Sequence, residues 1–439
     1  MSRRFHLLAV CACLAPLVAA GNLRAQDTTT TAPGVRLGLS YPRGTIPRVI
    51  VLPVDSTPGD SVRAIIQRDL DYSDRFEVIN LAQPPAGSAG AGPTVNYAFY
   101  RTLGAGLAVE LISASGGVTV KLHDLAGEKV RAEANFTVSL AGAGDDRFAI
   151  HTVSDEIVRW ATGQPGVAST RIAFLSEGRI WRVDSDGANL SPVTPAGVQV
   201  MSPAWSPDGA RLAYVQFNPD GSRPIIIQTM ASGARTVVPT TGNTQNITPV
   251  FSPDGSRLMF TRLTDQGASL HSVNARDLCC VERLTGGRFA QNLSPAYSPD
   301  GGRVAFVSTR AGGQQIYVMS ADGTDQELLV PFDFGTTGNS NAPEWSPDGA
   351  TLAFHREVGG TPQIWTFDLT SRRLVQRSSL GRNEDPSWAP DGRHVVFISS
   401  RTGRRQLFVL DTETARVRQI MTPGSARLPA WSRTLARVR

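Results

Sequence analysis

The chain has 439 residues, 41% of them hydrophobic and 18% charged, which is the balance of a globular protein long enough for two domains. That composition excludes a disordered or fibrous chain. The formal charge of +5 includes Arg3, Arg4 and Arg24, and without these three 40 basic side chains face 38 acidic ones, which excludes the broad basic surface that nucleic-acid binding needs.

At the N-terminus Arg3 and Arg4 precede an apolar run from Phe5 to Ala20, with small-residue cleavage sites after Ala20 or Ala25. Residues 1–25 therefore read as a cleaved secretory signal, too short to span a membrane. No later stretch is apolar for long enough to cross a bilayer, so the mature chain is expected in an exported compartment. Residues 26–165 predict a mixed α/β domain. Strands are expected over Arg36–Leu39 and Arg48–Val54, then a helix whose Val62, Ile65, Ile66 and Leu70 share one face. A strand over Phe76–Leu81 leads into a Pro-, Gly- and Ser-rich loop at 83–94. A short helix from Tyr97 to Leu103 follows, then strands over Leu107–Ser113, Val118–Leu125 and Val130–Leu140. The last helix is capped by Asp145 or Asp146 and ends at Gly163–Gly166.

From residue 168 to 439 one phrase repeats. Pro203-Ala204-Trp205-Ser206-Pro207-Asp208-Gly209 is its first copy, and the aromatic returns at Phe251, Tyr297, Trp345, Trp388 and Trp431 in steps of 43 to 48 residues. A period in the forties built from short strands is the mark of a β-propeller. Ser-Pro-Asp-Gly makes sense as a turn, since Pro presets φ, Asp bonds its own backbone and Gly takes the positive φ. The inner strand occurs six times, and its last copy, Pro429-Ala430-Trp431-Ser432, has no outer strands after it. The first outer set, from Arg171 to Val193, has no inner strand before it. The C-terminal strand is thus expected to complete the first blade of a six-bladed ring, leaving no open edge.

This topology puts the Ser-Pro-Asp-Gly turns on one face and the loops entering each inner strand on the other. The second face carries Gln245, Asn246, Thr248, Gln291, Asn292, Asn341, Asn383, Glu384 and Asp385 near the channel mouth. Arg223, Arg310, Arg356, Arg401, Arg404 and Arg405 are expected further out. A polar mouth with a basic rim is where a propeller holds a partner or ligand.

No nucleophile elbow, phosphate-binding loop or zinc-protease motif occurs. His123, His151, His271, His355 and His394 fall one per element and read as structural. The repeated Asp208, Asp254, Asp300, Asp348 and Asp391 are accounted for by their turns, so no metal or cofactor is expected, with calcium at a loop or in the channel as the alternative. Cys279 and Cys280 are adjacent, and a bond between them would close a strained ring that staples no loop. They read as two thiols, with a vicinal disulfide as the alternative.

The run Val200-Met201-Ser202-Pro203-Ala204-Trp205-Ser206-Pro207-Asp208-Gly209-Ala210-Arg211-Leu212-Ala213-Tyr214-Val215 resembles the second-blade segment of the TolB family, the periplasmic component of the Tol-Pal system. Thr170-Arg171-Ile172-Ala173-Phe174, His151-Thr152-Val153-Ser154-Asp155-Glu156-Ile157, Arg68-Asp69-Leu70 with Phe76, and the closing Pro429-Ala430-Trp431-Ser432 fit the same pattern in order. The resemblance implies a monomeric, non-catalytic periplasmic scaffold supporting outer-membrane integrity, envelope constriction in division and protein import. It implies that the lipoprotein Pal binds at Gln245, Asn246, Thr248, Asn292, Leu293, Asn341, Asn383 and Glu384, and TolA at Val35, Arg36, Leu37, Gly38 and Leu39. Leu293-Ser294 stands where the family pattern has Thr-Glu. Two alternatives are a propeller for an envelope carbohydrate or metabolite, and a peptidase-type propeller, for which this chain carries no hydrolase motif.

Overall fold

The computed structural model describes residues 46–53, 57–81, 95–114, 116–138, 146–240, 245–287, 290–332 and 338–433. The expected signal at 1–25, the strand Arg36–Leu39, the segment Val35–Leu39 and the loop 83–94 lie outside the described residues.

The α/β part is one five-stranded sheet with helices on both faces. Its elements are β1 (Arg48–Val51), α1 (Thr57–Tyr72), β2 (Glu77–Ile79), α2 (Tyr97–Thr102), β3 (Leu107–Ala114), β4 (Gly117–Asp124), β5 (Lys129–Phe136) and α3 (Asp146–Thr162). The order is β2-β1-β3-β4-β5, with β1 parallel to both neighbours and β3 to β5 an antiparallel meander. Helix spacing puts Val62, Ile66 and Leu70 of α1 beside Ile150, Val153 and Ile157 of α3, all against Val49, Val109 and Val120 of the sheet. Tyr100 of α2 covers the opposite face over Ile50 and Ala108. Three strands are shorter than their hydrophobic runs suggest, with β2 reduced to Glu77–Ile79. β1 ends at Val51 ahead of Pro53, which has no N–H to give, and β5 stops at Phe136.

Six four-stranded antiparallel sheets follow, here blades I to VI. Blade II runs from Val200–Trp205 through Arg211–Gln216 and Ile225–Thr229 to Arg235–Val237, and blades III to VI repeat it from inner strands Gln245–Phe251, Asn292–Tyr297, Asn339–Trp345 and Asn383–Trp388. Blade I takes its outer strands from Arg171–Ser176, Arg179–Asp184 and Ser191–Pro192, and its inner strand from Ala426–Trp431 at the other end of the chain. Trp431 pairs with Ile172 and Ala426 with Ser176, so the ring closes as the repeat count predicts. The fourth residue of every second strand is a buried aromatic: Phe174, Tyr214, Phe260, Phe306, Phe354 and Phe397. Each such ring contributes roughly 2–3 kcal/mol by leaving water. The inner-strand aromatics bridge blades. Trp205 Nε1 donates to Ala430 O at 3.2 Å and Trp345 Nε1 to Ala296 O at 3.1 Å, while Trp431 donates through Nε1 to Thr170 Oγ1 at 2.8 Å within blade I and through its backbone N to Ser387 Oγ of blade VI at 3.0 Å.

The turns behave as the residue types require. Ser206 Oγ accepts from Arg211 N at 2.8 Å and donates to Asp208, which takes Ala210 N at 3.0 Å, while Gly209 sits at φ +68°. The same bonds recur at Ser252, Ser298 and Ser346. Against this turn face, at blades I and VI, the α/β part is seated. Arg393 Nη2 donates to Asp74 O at 2.8 Å and Arg416 reaches Asp71 at 2.8 Å. The opposite mouth is thereby left uncovered by the described part of the α/β unit.

Candidate functional site at the channel mouth

On the far face, each inner strand carries the same irregularity. Ser202, Thr248, Ser294, Ala342, Asp385 and Leu428 all adopt φ between +48° and +53°, each just before the Pro of the Pro-x-aromatic phrase. The strand pairing shifts register at this point in all six blades. A left-handed conformation in a non-glycine residue is uncommon, and in β-branched Thr248 it is a true outlier. Its Oγ1 is held 2.9 Å from Thr261 Oγ1. A bulge bends the strand and re-aims one side chain. Here it points six different residues around a cavity of about 220 Å³ whose wall also includes Asn341, His355 and Glu344. A second cavity of about 270 Å³ opens toward the turn face and shares Pro203, Pro249, Pro295, Pro343, Pro429 and Glu344, so a channel runs down the axis with a proline waist.

The electrostatics concentrate on blades V and VI. Glu344 Oε1 accepts from Ser387 Oγ at 3.2 Å and from Trp388 N at 3.1 Å. It sees solvent only along the channel, and this enclosure outweighs the two hydrogen bonds and pushes its carboxyl up to about 7. Burial also raises Asp385, partly offset by His355. His355 is pushed down, first by burial, against the pull of Asp385 and Glu384. Its Nδ1 lies 3.1 Å from Asp385 N, a backbone donor, so that nitrogen accepts and Nε2 carries the proton. At the rim Glu384 is gripped by Arg405 at 3.0 Å and Arg382 at 3.4 Å.

The residues expected at the mouth divide into two groups. Thr248 and Asn341 line the cavity. Gln245, Leu293 and Glu384 are half-buried close by. Asn246, Asn292 and Asn383 are fully buried instead. Asn292 Oδ1 accepts from Ser308 Oγ and from Arg310 Nη2, both at 2.9 Å, while its amide reaches Ala268 O and Gly286 O. Asn246 accepts from Arg262 at 3.2 Å, and Asn383 from Arg401 at 3.3 Å while donating to Gln363 Oε1 at 2.6 Å. These asparagines brace the mouth from inside, because each turns inward and accepts from a neighbouring arginine.

The expected basic rim thins for the same reason. Arg310, Arg356 and Arg401 lie over the buried rings of Phe306, Phe354 and Phe397 at 5.2 to 5.8 Å, tied to Asn292, Ser340 and Asn383. Arg404 is exposed, and Arg223 stacks on Phe217 at 4.8 Å. The sequence reading missed Glu344 and His355. Glu344 was detectable by aligning the copies, since its column otherwise holds Ala204, Val250, Ala296, Ser387 and Ala430. His355 had no such signal, because only the fold brings it to Asp385.

Among known families, the one described as the TolB beta propeller domain matches residues 158–435. A Tol-Pal system protein TolB from Methylococcus capsulatus is 32% identical over 213 residues, covering 45% of this chain and 47% of that protein. Another, from Anaeromyxobacter dehalogenans, is 35% identical over 160 residues, 34% of this chain and 36% of that one. The matched stretch thus spans about half or less of these curated relatives. The crystal structure of TolB from Acinetobacter baumannii superposes with a TM-score of 0.75 at 24% identity, over 89% of this chain and 97% of that one, and shares the fold. With the propeller match spanning more than half of the sequence, the chain belongs to the TolB β-propeller family.

Proposed function

We propose that this chain is a non-catalytic, monomeric scaffold of a Tol-Pal type envelope system, exported to the periplasm. Its channel mouth receives the lipoprotein Pal, and the segment Val35–Leu39 receives TolA. The observation that carries this reading is the ring of six bulged residues. Each blade uses the same backbone device, and the six together present five kinds of side chain to one opening. A purely structural channel has no need of that variety, whereas a surface written for one partner does. The contact set is the half-buried part of the mouth, Gln245, Thr248, Leu293, Asn341 and Glu384, joined by Ser294, Asp385 and Leu428, with the more deeply buried Ser202 completing the cavity wall. Asn246, Asn292 and Asn383 support it from beneath.

Calorimetric titration of the mature chain with soluble Pal and with a soluble form of TolA from the same genome tests both halves. Saturable binding of each is expected, with deletion of residues 26–39 removing TolA binding and sparing Pal. Absence of heat with Pal at tens of micromolar would refute the reading of the mouth.

A further inference from the structure

Away from the channel, two histidines lie fully buried where the α/β part meets the propeller, each held between carboxylates. His151 of α3 has Nδ1 2.8 Å from Asp69 Oδ2 of α1, an oxygen that also accepts from Ser154 Oγ at 2.7 Å. Its Nε2 lies 3.9 Å from Asp186 Oδ2 of blade I. Arg68 of α1 and Arg147 of α3 reach the same Asp186 carboxylate, and Asp184 beside it is held by Arg171 at 3.0 Å. At the other contact the polarity reverses. His394, on the second strand of blade VI, has Nδ1 2.7 Å from Asp391 Oδ2 and Nε2 3.1 Å from Asp74 Oδ2, just past α1. Around it Arg416 reaches Asp74 at 2.8 Å, Arg393 holds Asp411 at 2.5 Å and Glu413 at 3.0 Å, and Arg75 lies 3.9 Å from Asp391.

Chemistry fixes the charge state this geometry needs. A neutral imidazole has one donor and one acceptor nitrogen, so His394 can donate to both carboxylates only as an imidazolium. A neutral ring would turn a lone pair toward a carboxylate in a fully buried site. Burial alone lowers both imidazoles. The hydrogen bonds and charges of Asp69 and Asp186 for His151, and of Asp391 and Asp74 for His394, more than reverse that and raise both. In each pair one carboxylate belongs to the α/β part and one to the propeller.

We propose that this junction is a proton-operated latch. With His151 and His394 charged, the α/β part is clamped to blades I and VI, and loss of the two protons loosens it. Because the folded state holds these protons more tightly than the unfolded chain, the stabilisation is complete below the ordinary histidine value of about 6.5 and is lost as pH rises through the raised folded values.

The test follows the mature full chain from pH 6 to 9. Long-range proton–nitrogen NMR reads the ring states, with His151→Gln and His394→Gln assigning the signals. Hydrogen exchange by mass spectrometry, corrected for intrinsic rates, reads opening of α1 and α3. Both rings should be imidazolium at pH 6, and opening should rise severalfold as they deprotonate. The double glutamine variant should lose that pH dependence. A neutral His394 at pH 6, or protection that stays flat while both rings titrate, overturns the latch. If the double variant fails to fold, these two wild-type measurements decide the matter by themselves.

Discussion

At the channel waist Glu344 occupies a column that the other blades fill with small or apolar residues and one serine. Its carboxyl, raised to about 7 by enclosure, keeps its proton in the folded chain over a range where the unfolded chain has released it. Stability should therefore fall as pH climbs from about 4.5 to 7 and then level off. Glu344→Gln should match wild type at pH 4 and exceed it by on the order of 1–3 kcal/mol at pH 8, the figure being reduced for the solvent that reaches the group along the channel. Chemical denaturation at the two pH values checks this, and an equal gap at both would contradict it. Asn292 offers a second case. Replacing it with Ala leaves Arg310, Ser308 and two carbonyls short of partners, and should cost about 2–3 kcal/mol in urea unfolding. The sequence reading expected Asn246, Asn292 and Asn383 in the loops before the inner strands, whereas they lie at the start of those strands. It could not show their direction, because one position along a bulged strand separates a side chain in the wall from one in the opening.

Among the elements, the turns were legible and the bulges were not, for one physical reason. A Ser-Pro-Asp-Gly turn makes a demand on each residue: a hydroxyl for Arg303 N, a carboxylate for Gly302 N, and a glycine at φ +74° at Gly301. The bulge demands only a backbone angle, met by Ser202, Thr248, Ser294, Ala342, Asp385 and Leu428, which share no side-chain property. Blade VI shows how far the turn can bend, since Ala389 replaces the serine and Asp391 Oδ1 takes Arg393 N and His394 N instead. Ser298→Ala should accordingly cost only about 1 kcal/mol. Phe306→Ala, at a fully buried position in the second strand of the same blade, should cost about 3–5 kcal/mol. Thermal denaturation of the two variants side by side would show whether blade stability lies mainly in packing, and comparable losses would argue against it.

For the molecule as a whole, ring closure was readable because the repeat ran out at both ends in complementary ways. Ending the chain after Pro423 would remove the inner strand of blade I and leave Arg171–Ser176 as an open edge. Such a truncation should aggregate on expression, and a soluble monomer by gel filtration would contradict the closure account. The seating of the α/β part was not readable. His394 and Asp74 are 320 residues apart, and no periodicity joins them. The channel mouth lies between these extremes, located by topology but composed by the fold. Its role as the partner site is tested most directly by titrating soluble Pal into three forms of the mature chain. Thr248→Arg crowds the mouth, whereas Ala231→Arg adds an arginine to an exposed turn on the opposite face. Wild type and Ala231→Arg should bind alike, and the mouth variant at least tenfold more weakly. Equal affinity of all three would place the partner site elsewhere.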